Sequence, residues 1–166
     1  MSELQIQTAT RRHIPQIEAL LSKSYTRLLA RDYPPSIMVT AVPQISKAQP
    51  ALIASGRYFM AVRDGRLLAV GGWSPANQHR VEGDPALGHV RHFATDPDAT
   101  RQGAAGALLS FCQIQAKEAG LAGLNCMSTR TAVPFYKAFG FEALGEQEIT
   151  LGAGVVFPAE RMVWRH

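Results

Sequence analysis

The chain has 166 residues, 46% of them hydrophobic and 18% charged, with a formal net charge of +4 at pH 7. That balance suits one globular domain with a substantial core and argues against disorder, while two cysteines are too few for a disulfide framework and point to a reducing cytoplasm. No apolar run approaches the roughly 20 residues of a membrane span, MSELQIQTATRRH lacks the apolar core of a signal peptide, and the basic residues are scattered rather than gathered into a nucleic-acid-binding stripe.

Leu4 to Thr8 alternate as a first strand. Pro15 then falls in the first turn of a helix, where it is tolerated. Ile14, Ile17, Leu20, Leu21 and Leu28 recur at helical spacing, predicting a helix from His13 to about Ala30. Tyr33-Pro34-Pro35 stops it. Residues 37–42 and 45–54 read as short helices divided by Pro43 and Pro50. Arg57 to Arg63 is rich in aromatic and β-branched residues and reads as a strand. Asp64-Gly65 is a two-residue hairpin signal, and Leu67 to Trp73 returns beside it. Ser74 to Pro85 is polar and loop-like, and Gly88 to Thr95 is a further strand ended by Asp96-Pro97.

The next stretch, Asp96 to Leu109, reads DPDATRQGAAGALL. A loop of small residues there opens a helix. The first amides of a helix have no internal partners, and the helix dipole adds partial positive charge, so such a loop suits an anion; it equally suits a tight strand-to-helix turn. Leu108, Leu109, Phe111, Cys112 and Ile114 predict an amphipathic helix capped by Gly120. Leu121 to Ser128 follows as a strand. Thr131 is a candidate N-cap for a short helix that ends at Gly140. Phe141 to Leu144, Glu148 to Leu151 and Val155 to Trp164 read as short closing strands. The strand–loop–helix–strand unit in the middle implies one parallel crossover in an otherwise antiparallel sheet.

Two segments resemble the GNAT superfamily of N-acetyltransferases. GHVRHFAT followed by TRQGAAGALL is similar to its acyl-CoA signature, in register at Thr100 to Ala105, with Thr100 where Gln or Arg is preferred and Ala105 where a second Gly is commoner. TRTAVPFYKAFGFEALG is similar to its A-x-P-F-Y-x-x-x-G-F segment, with Thr131 where Asn is usual. The resemblance covers nearly the whole chain. It implies a single α/β domain over residues 1–166, with a mixed, mostly antiparallel sheet of six to seven strands flanked by helices and one splayed parallel pair that holds acyl-CoA.

The resemblance also implies acetyl-CoA as cosubstrate and direct transfer to the primary amine of a small molecule, with no metal, no nucleic acid and no membrane partner. A homodimer is a common arrangement in the family. The pyrophosphate would sit on the amides of Gln102, Gly103, Ala104, Ala105 and Gly106 beside Arg101, and the pantetheine arm would pair with Phe93, Ala94 and Thr95, with Thr131 and Tyr136 nearby. Tyr136 would donate a proton or hydrogen bond to the leaving sulfur. A phenol at pKa about 10 against a thiol at about 8.5 makes full transfer slightly uphill; the alternative for Tyr136 is simple packing. His89 aligns with a basic Glu of several members and would accept the amine proton, the alternative being a structural histidine. His92, three residues on, is expected on the opposite face of the strand. Cys126 reads as core, and Trp73, Tyr25 and Tyr33 as candidates for the acceptor pocket. No Cys/His spacing suits zinc. A catalytically silent acyl-CoA-binding module acting as sensor or partner domain fits the same signatures, except that Tyr136 stands in the expected place.

Overall fold

The computed structural model describes residues 2–75 and 84–166. Most of the predicted Ser74–Pro85 loop, with His79, lies outside the described residues.

Strand β1 (Gln5–Thr8) leads through a turn into α1 (Ile14–Leu28), which begins at Ile14 because Arg11–His13 form a 3-10 turn. Helices α2 (Pro35–Ile45) and α3 (Pro50–Ala54) follow. Pro43 lies inside α2 rather than at a boundary. The carbonyl it leaves without a partner belongs to Val39, four residues back on the exposed side of the helix, where water can take it. Strands β2 (Tyr58–Arg63) and β3 (Arg66–Ser74) form the expected hairpin, with Asp64 at φ 53° and Gly65 at φ 74°.

Strand β4 (Leu87–Thr95) leads into α4 (Ala104–Glu118), β5 (Gly123–Ser128) and the short α5 (Val133–Ala138). Leu108, Leu109 and Cys112 of α4 are buried as the periodicity predicts, but Ile114 is exposed. Thr129, not Thr131, caps the next turn: its hydroxyl accepts from the Ala132 amide at 3.2 Å, because a 3-10 turn over Arg130–Ala132 precedes α5. The three predicted closing strands are two, β6 (Glu142–Thr150) and β7 (Val156–Arg165). Gly145 at φ 129° absorbs a bulge in β6 without ending it, so the strand runs through.

Among the described residues, seven strands form one sheet in the order β1-β2-β3-β4-β5-β7-β6, antiparallel except for β4 beside β5. One core lies between the sheet and α1 to α3, built on Ile17, Leu21, Tyr58, Met60 and Val70. The other lies under α4 and α5, built on Leu108, Leu109, Cys112, Leu124 and Met162. Among the described residues no helix is long and apolar enough to cross a membrane.

Candidate functional site

Strands β4 and β5 pair at only three positions, Leu87 with Gly123, Gly88 with Leu124 and His89 with Asn125. Beyond His89 they part. A bulge in β4 accounts for the divergence on that side: Val70 of β3 opposes Ala94 and Gly72 opposes Arg91, so His92 and Phe93 together oppose Gly71. His92 takes φ 57° to make this turn. Gly71 is needed opposite, since a Cβ there would lie 2.5 Å from the Phe93 ring.

The bulge reverses one expectation. Arg91 bonds Ser74 and the Gln49 side chain, and His92 bonds the Ile45 carbonyl at 2.7 Å, so both turn toward the α2–α3 side. His89, two residues before Arg91 on regular strand, shares that face with His92 instead of opposing it. A carbonyl only accepts, so His92 carries its proton on Nε2, and among the described residues its buried Nδ1 has no partner. Burial lowers the His92 pKa below its usual value. Among the described residues no group of three or more His, Cys, Asp or Glu is placed to hold a metal ion.

The gap between the strands opens into a cavity of about 1320 Å³. One end is walled by residues 99–106, the loop that starts α4. Arg101 at φ 64° and Gly103 at φ 81° bracket Gln102 in left-handed backbone, the kind of tight turn that makes a concave nest of amides. Open space surrounds the position a Gly103 Cβ would take. Gly106 has a different reason to be small: a Cβ there would stand 2.7 Å from the Phe139 ring, so glycine lets α4 close on α5. Asp96 holds the approach to this loop, its carboxylate accepting from Lys23 at 3.1 Å, Arg66 at 3.0 Å and the Asp98 amide at 2.9 Å.

Tyr136 of α5 is buried and reaches the same cavity from the other wall. Its hydroxyl lies near the Cys126 thiol on β5. Burial first, and then this neighbour, raise the Tyr136 pKa well above the ordinary phenol value. Burial pushes the Cys126 thiol up to about 12, so neither group ionises near neutral pH. Phe135, Phe141 and Phe93 pack around the Tyr136 ring with centroids 5.1, 5.4 and 6.4 Å away.

Residues 29–157 match the family model of the acetyltransferase (GNAT) domain. The chain belongs to the GNAT acetyltransferase family. A GCN5-related N-acetyltransferase from Rhodopseudomonas palustris superposes with TM-score 0.77 at 17% identity over 100% of this chain and 98% of that one. A PaiA N-acetyltransferase from Thermoplasma acidophilum, in complex with coenzyme A, does so with TM-score 0.73 at 12% identity over 99% of each chain. A ribosomal-protein-alanine N-acetyltransferase from Brucella melitensis gives 0.67 at 16% identity, over 98% of this chain and 99% of that one. At these identities the likeness establishes the fold. No curated protein sequence matches this chain. GNAT membership makes the protein an acyltransferase whose chemistry is acyl-CoA-dependent acetyl transfer.

Within this GNAT fold the structure brings His89, Phe93, Ala94, Thr95, Arg101 to Gly106, Thr131 and Tyr136 to one cavity. Thr131 is partly committed, its hydroxyl donating to Asp32 at 2.6 Å. Tyr25 also lines the cavity, but Trp73 and Tyr33 do not. Trp73 is core, with its indole N–H on Gln115 at 2.7 Å. Tyr33 instead braces the β5–α5 connection, donating to the Pro158 carbonyl at 2.6 Å and accepting from the Arg130 amide at 2.9 Å. Arg91, Asn125 and Arg161 also line the cavity; in the sequence Asn125 carries no signal, and Arg91 and Arg161 stand only among the scattered basic residues, a few of which could bind an anionic ligand. Asn125 and Arg161 lie singly on strands with no motif around them; Arg91 lies inside GHVRHFAT, where the resemblance assigns it no role. Asn125 is buried, and among the described residues its Oδ1 has no partner.

Proposed function

We propose that this GNAT enzyme, acting as one domain over residues 1–166, moves the acetyl group of acetyl-CoA to the primary amine of a small molecule by direct transfer in a ternary complex. The observation that carries the reading is the parting of β4 from β5 at His89, which joins the cradle at the start of α4 to the face under α1–α3 through one cavity. At about 1320 Å³ that cavity exceeds the roughly 300–1,000 Å³ of a pocket for one small ligand and suits two.

The residues present fit the cosubstrate. A nest with open space at Gly103, the start of a 15-residue helix and the Arg101 guanidinium suit a pyrophosphate. Backbone groups of Phe93 to Thr95, facing a strand that has turned away, suit the amides of a pantetheine arm. Thr131, at the rim, retains its acceptor capacity. Bound acetyl-CoA supplies an acyl group activated as a thioester. Tyr136 then acts at its hydroxyl. With its pKa raised by burial, a complete proton transfer to a thiolate is more uphill than for an ordinary phenol, so its contribution is a hydrogen bond donated to the sulfur. His89 is the residue assigned to accept the amine proton, from the β4 position facing the acceptor side. A cytoplasmic setting agrees with two buried, free cysteines.

The test combines a melting curve with a turnover assay. Acetyl-CoA at about 100 times its Kd contributes roughly 2.7 kcal/mol and raises Tm. A panel of primary amines, followed by free-thiol release, then identifies the acceptor. Absence of a Tm shift at millimolar acetyl-CoA would overturn the reading. A shift without thiol release from any amine would instead favour the silent acyl-CoA-binding module.

A further inference from the structure

Two guanidiniums border the acceptor side of the cavity without a carboxylate of their own. Arg91 on β4 is half-buried, and among the described residues its hydrogen-bond partners are neutral: Nη1 donates to the Ser74 hydroxyl at 3.3 Å and Nη2 to the Gln49 side-chain carbonyl. Arg161 stands on β7, across the cavity. Among the described residues neither makes an ion pair, whereas Lys23, Arg27, Arg66, Arg130 and Arg165 each meet an Asp or Glu within 3.1 Å.

The sheet places both cations on one face. Leu124, Cys126, Met162 and Trp164 belong to the core under α4. Their neighbours Asn125, Met127 and Arg161 therefore face the other way, with Met127 directly opposite Arg161. Arg91, two residues after His89 on regular strand, faces that side too, with Gln49 beside it. The β4 wall and the β7 wall of the splay thus each present a cation to the same space. Desolvating a guanidinium against neutral oxygens removes hydration without returning charge. Arg91 has five N–H donors and uses two here, leaving a fork that matches a carboxylate. Its Cα lies two residues, on the order of 6 Å, from Phe93, where the acyl group is to be delivered. That is within side-chain reach of a carboxylate one or two bonds from a reacting amine.

We propose that the acceptor is a small amine that carries a carboxylate, of the amino-acid class, with Arg91 gripping the carboxylate and Arg161 adding attraction from the facing wall. The proposal rests on the acetyltransferase reading above.

The experiment uses the full chain, acetyl-CoA and thiol-release detection with matched acceptors: a set of amino acids, their carboxamides, the corresponding decarboxylated amines, and phosphoethanolamine. The expected result is a kcat/KM for the carboxylate member at least about tenfold above its carboxamide, the worth of one charged hydrogen-bonded contact. Arg91→Gln should raise KM for the carboxylate acceptor by about 10- to 100-fold while moving the carboxamide KM by less than about twofold, with Arg91→Lys restoring part of the preference. Arg161→Gln, on an exposed strand position, gives a smaller shift in the same direction and covers the case in which Arg91→Gln does not fold. Each variant is checked for an unchanged acetyl-CoA-induced Tm shift. Equal use of carboxamides or decarboxylated amines, preference for the phosphate-bearing amine, or a carboxylate preference that survives both Gln variants overturns the proposal while leaving the acetyltransferase reading standing. Absence of acetyl-CoA binding overturns both.

Discussion

The Tyr25 hydroxyl donates a hydrogen bond to the Phe93 carbonyl at 3.1 Å, and the Tyr58 hydroxyl does the same to the His92 carbonyl at 2.8 Å. A bulge leaves backbone groups off the ladder, and buried ones need partners. Two phenols, one from α1 and one from β2, supply them. The bulge that parts β4 from β5 is therefore held open from the α1 side.

Tyr25→Phe should cost about 1 kcal/mol of stability, the net worth of one buried hydrogen bond, and should also slow turnover by loosening the bulge. Tyr33→Phe removes comparable hydroxyl bonds away from the splay, so it should cost at least as much stability with less loss of turnover. Urea midpoints and steady-state rates on both variants decide this. Equal turnover losses would show that the bulge does not depend on Tyr25.

Tyr136→Phe should lower kcat by roughly 10²-fold, in the range of one lost hydrogen-bond donor to developing charge, while the Kd for acetyl-CoA stays the same. Kinetics with parallel calorimetric titration separate the two effects. Unchanged kcat would return Tyr136 to a packing role among Phe93, Phe135 and Phe141.

The cradle offers two substitutions with opposite signatures. Gly103 sits at φ 81°, so Gly103→Val forces a β-branched residue into left-handed backbone and should destabilise the fold by about 1–3 kcal/mol, even though space around it is open. Gln102→Glu leaves an oxygen acceptor for Arg63, which now donates to the Gln102 side chain at 3.3 Å. It should preserve Tm while repelling a pyrophosphate and weakening acetyl-CoA binding by about tenfold, near the value of one charged contact. Unaltered affinity in Gln102→Glu would place the phosphate site elsewhere.

Acid should unfold the protein partly through Asp96. Burial alone would raise its pKa, but the Asp98 amide, Arg66 and Lys23 outweigh that and hold it at about 2. A carboxyl depressed in the folded state stabilises the fold above its unfolded pKa of about 3.9, and that contribution is lost as pH falls from about 4 to about 2. Tm measured across this window should fall more steeply in the wild type than in Asp96→Asn. Parallel curves would remove Asp96 from the account.

Cys112 and Cys126 should resist alkylation in the native state. Burial pushes both thiols up to about 12, so the reactive thiolate is scarce as well as inaccessible. Mass spectrometry after iodoacetamide treatment should show labelling in urea and none in buffer. Rapid native labelling of Cys126 would mean that the wall behind Tyr136 opens.

What was legible beforehand was local. The Asp64-Gly65 turn, the Gly140 cap, the helix that opens at Gly103 and the burial stripe of α4 each follow from the conformational needs of a few adjacent residues. So does the pairing of a small-residue loop with the FYKAFGF segment that marked the family. The errors were also instructive. Pro43 was read as a break because its missing N–H is a local fact, whereas the exposure of the carbonyl it abandons is not. Thr131 looked like a cap, but the 3-10 turn ahead of α5 moved that role to Thr129.

The sequence by itself determined the order of strands and helices as far as α5, the hairpin, and a loop of small residues opening a helix, because periodicity and turn chemistry act over short stretches of chain. The tertiary structure decided where the sheet parts and what faces the gap. The His92–Phe93 bulge exists because Gly71, Tyr25 and Tyr58, distant in the chain, make room for it and satisfy its carbonyls. That one bulge brings His92 onto the face that His89 and Arg91 already share, where simple alternation would oppose it to His89. No pattern along β4 alone could show this, since alternation holds only while a strand keeps its register.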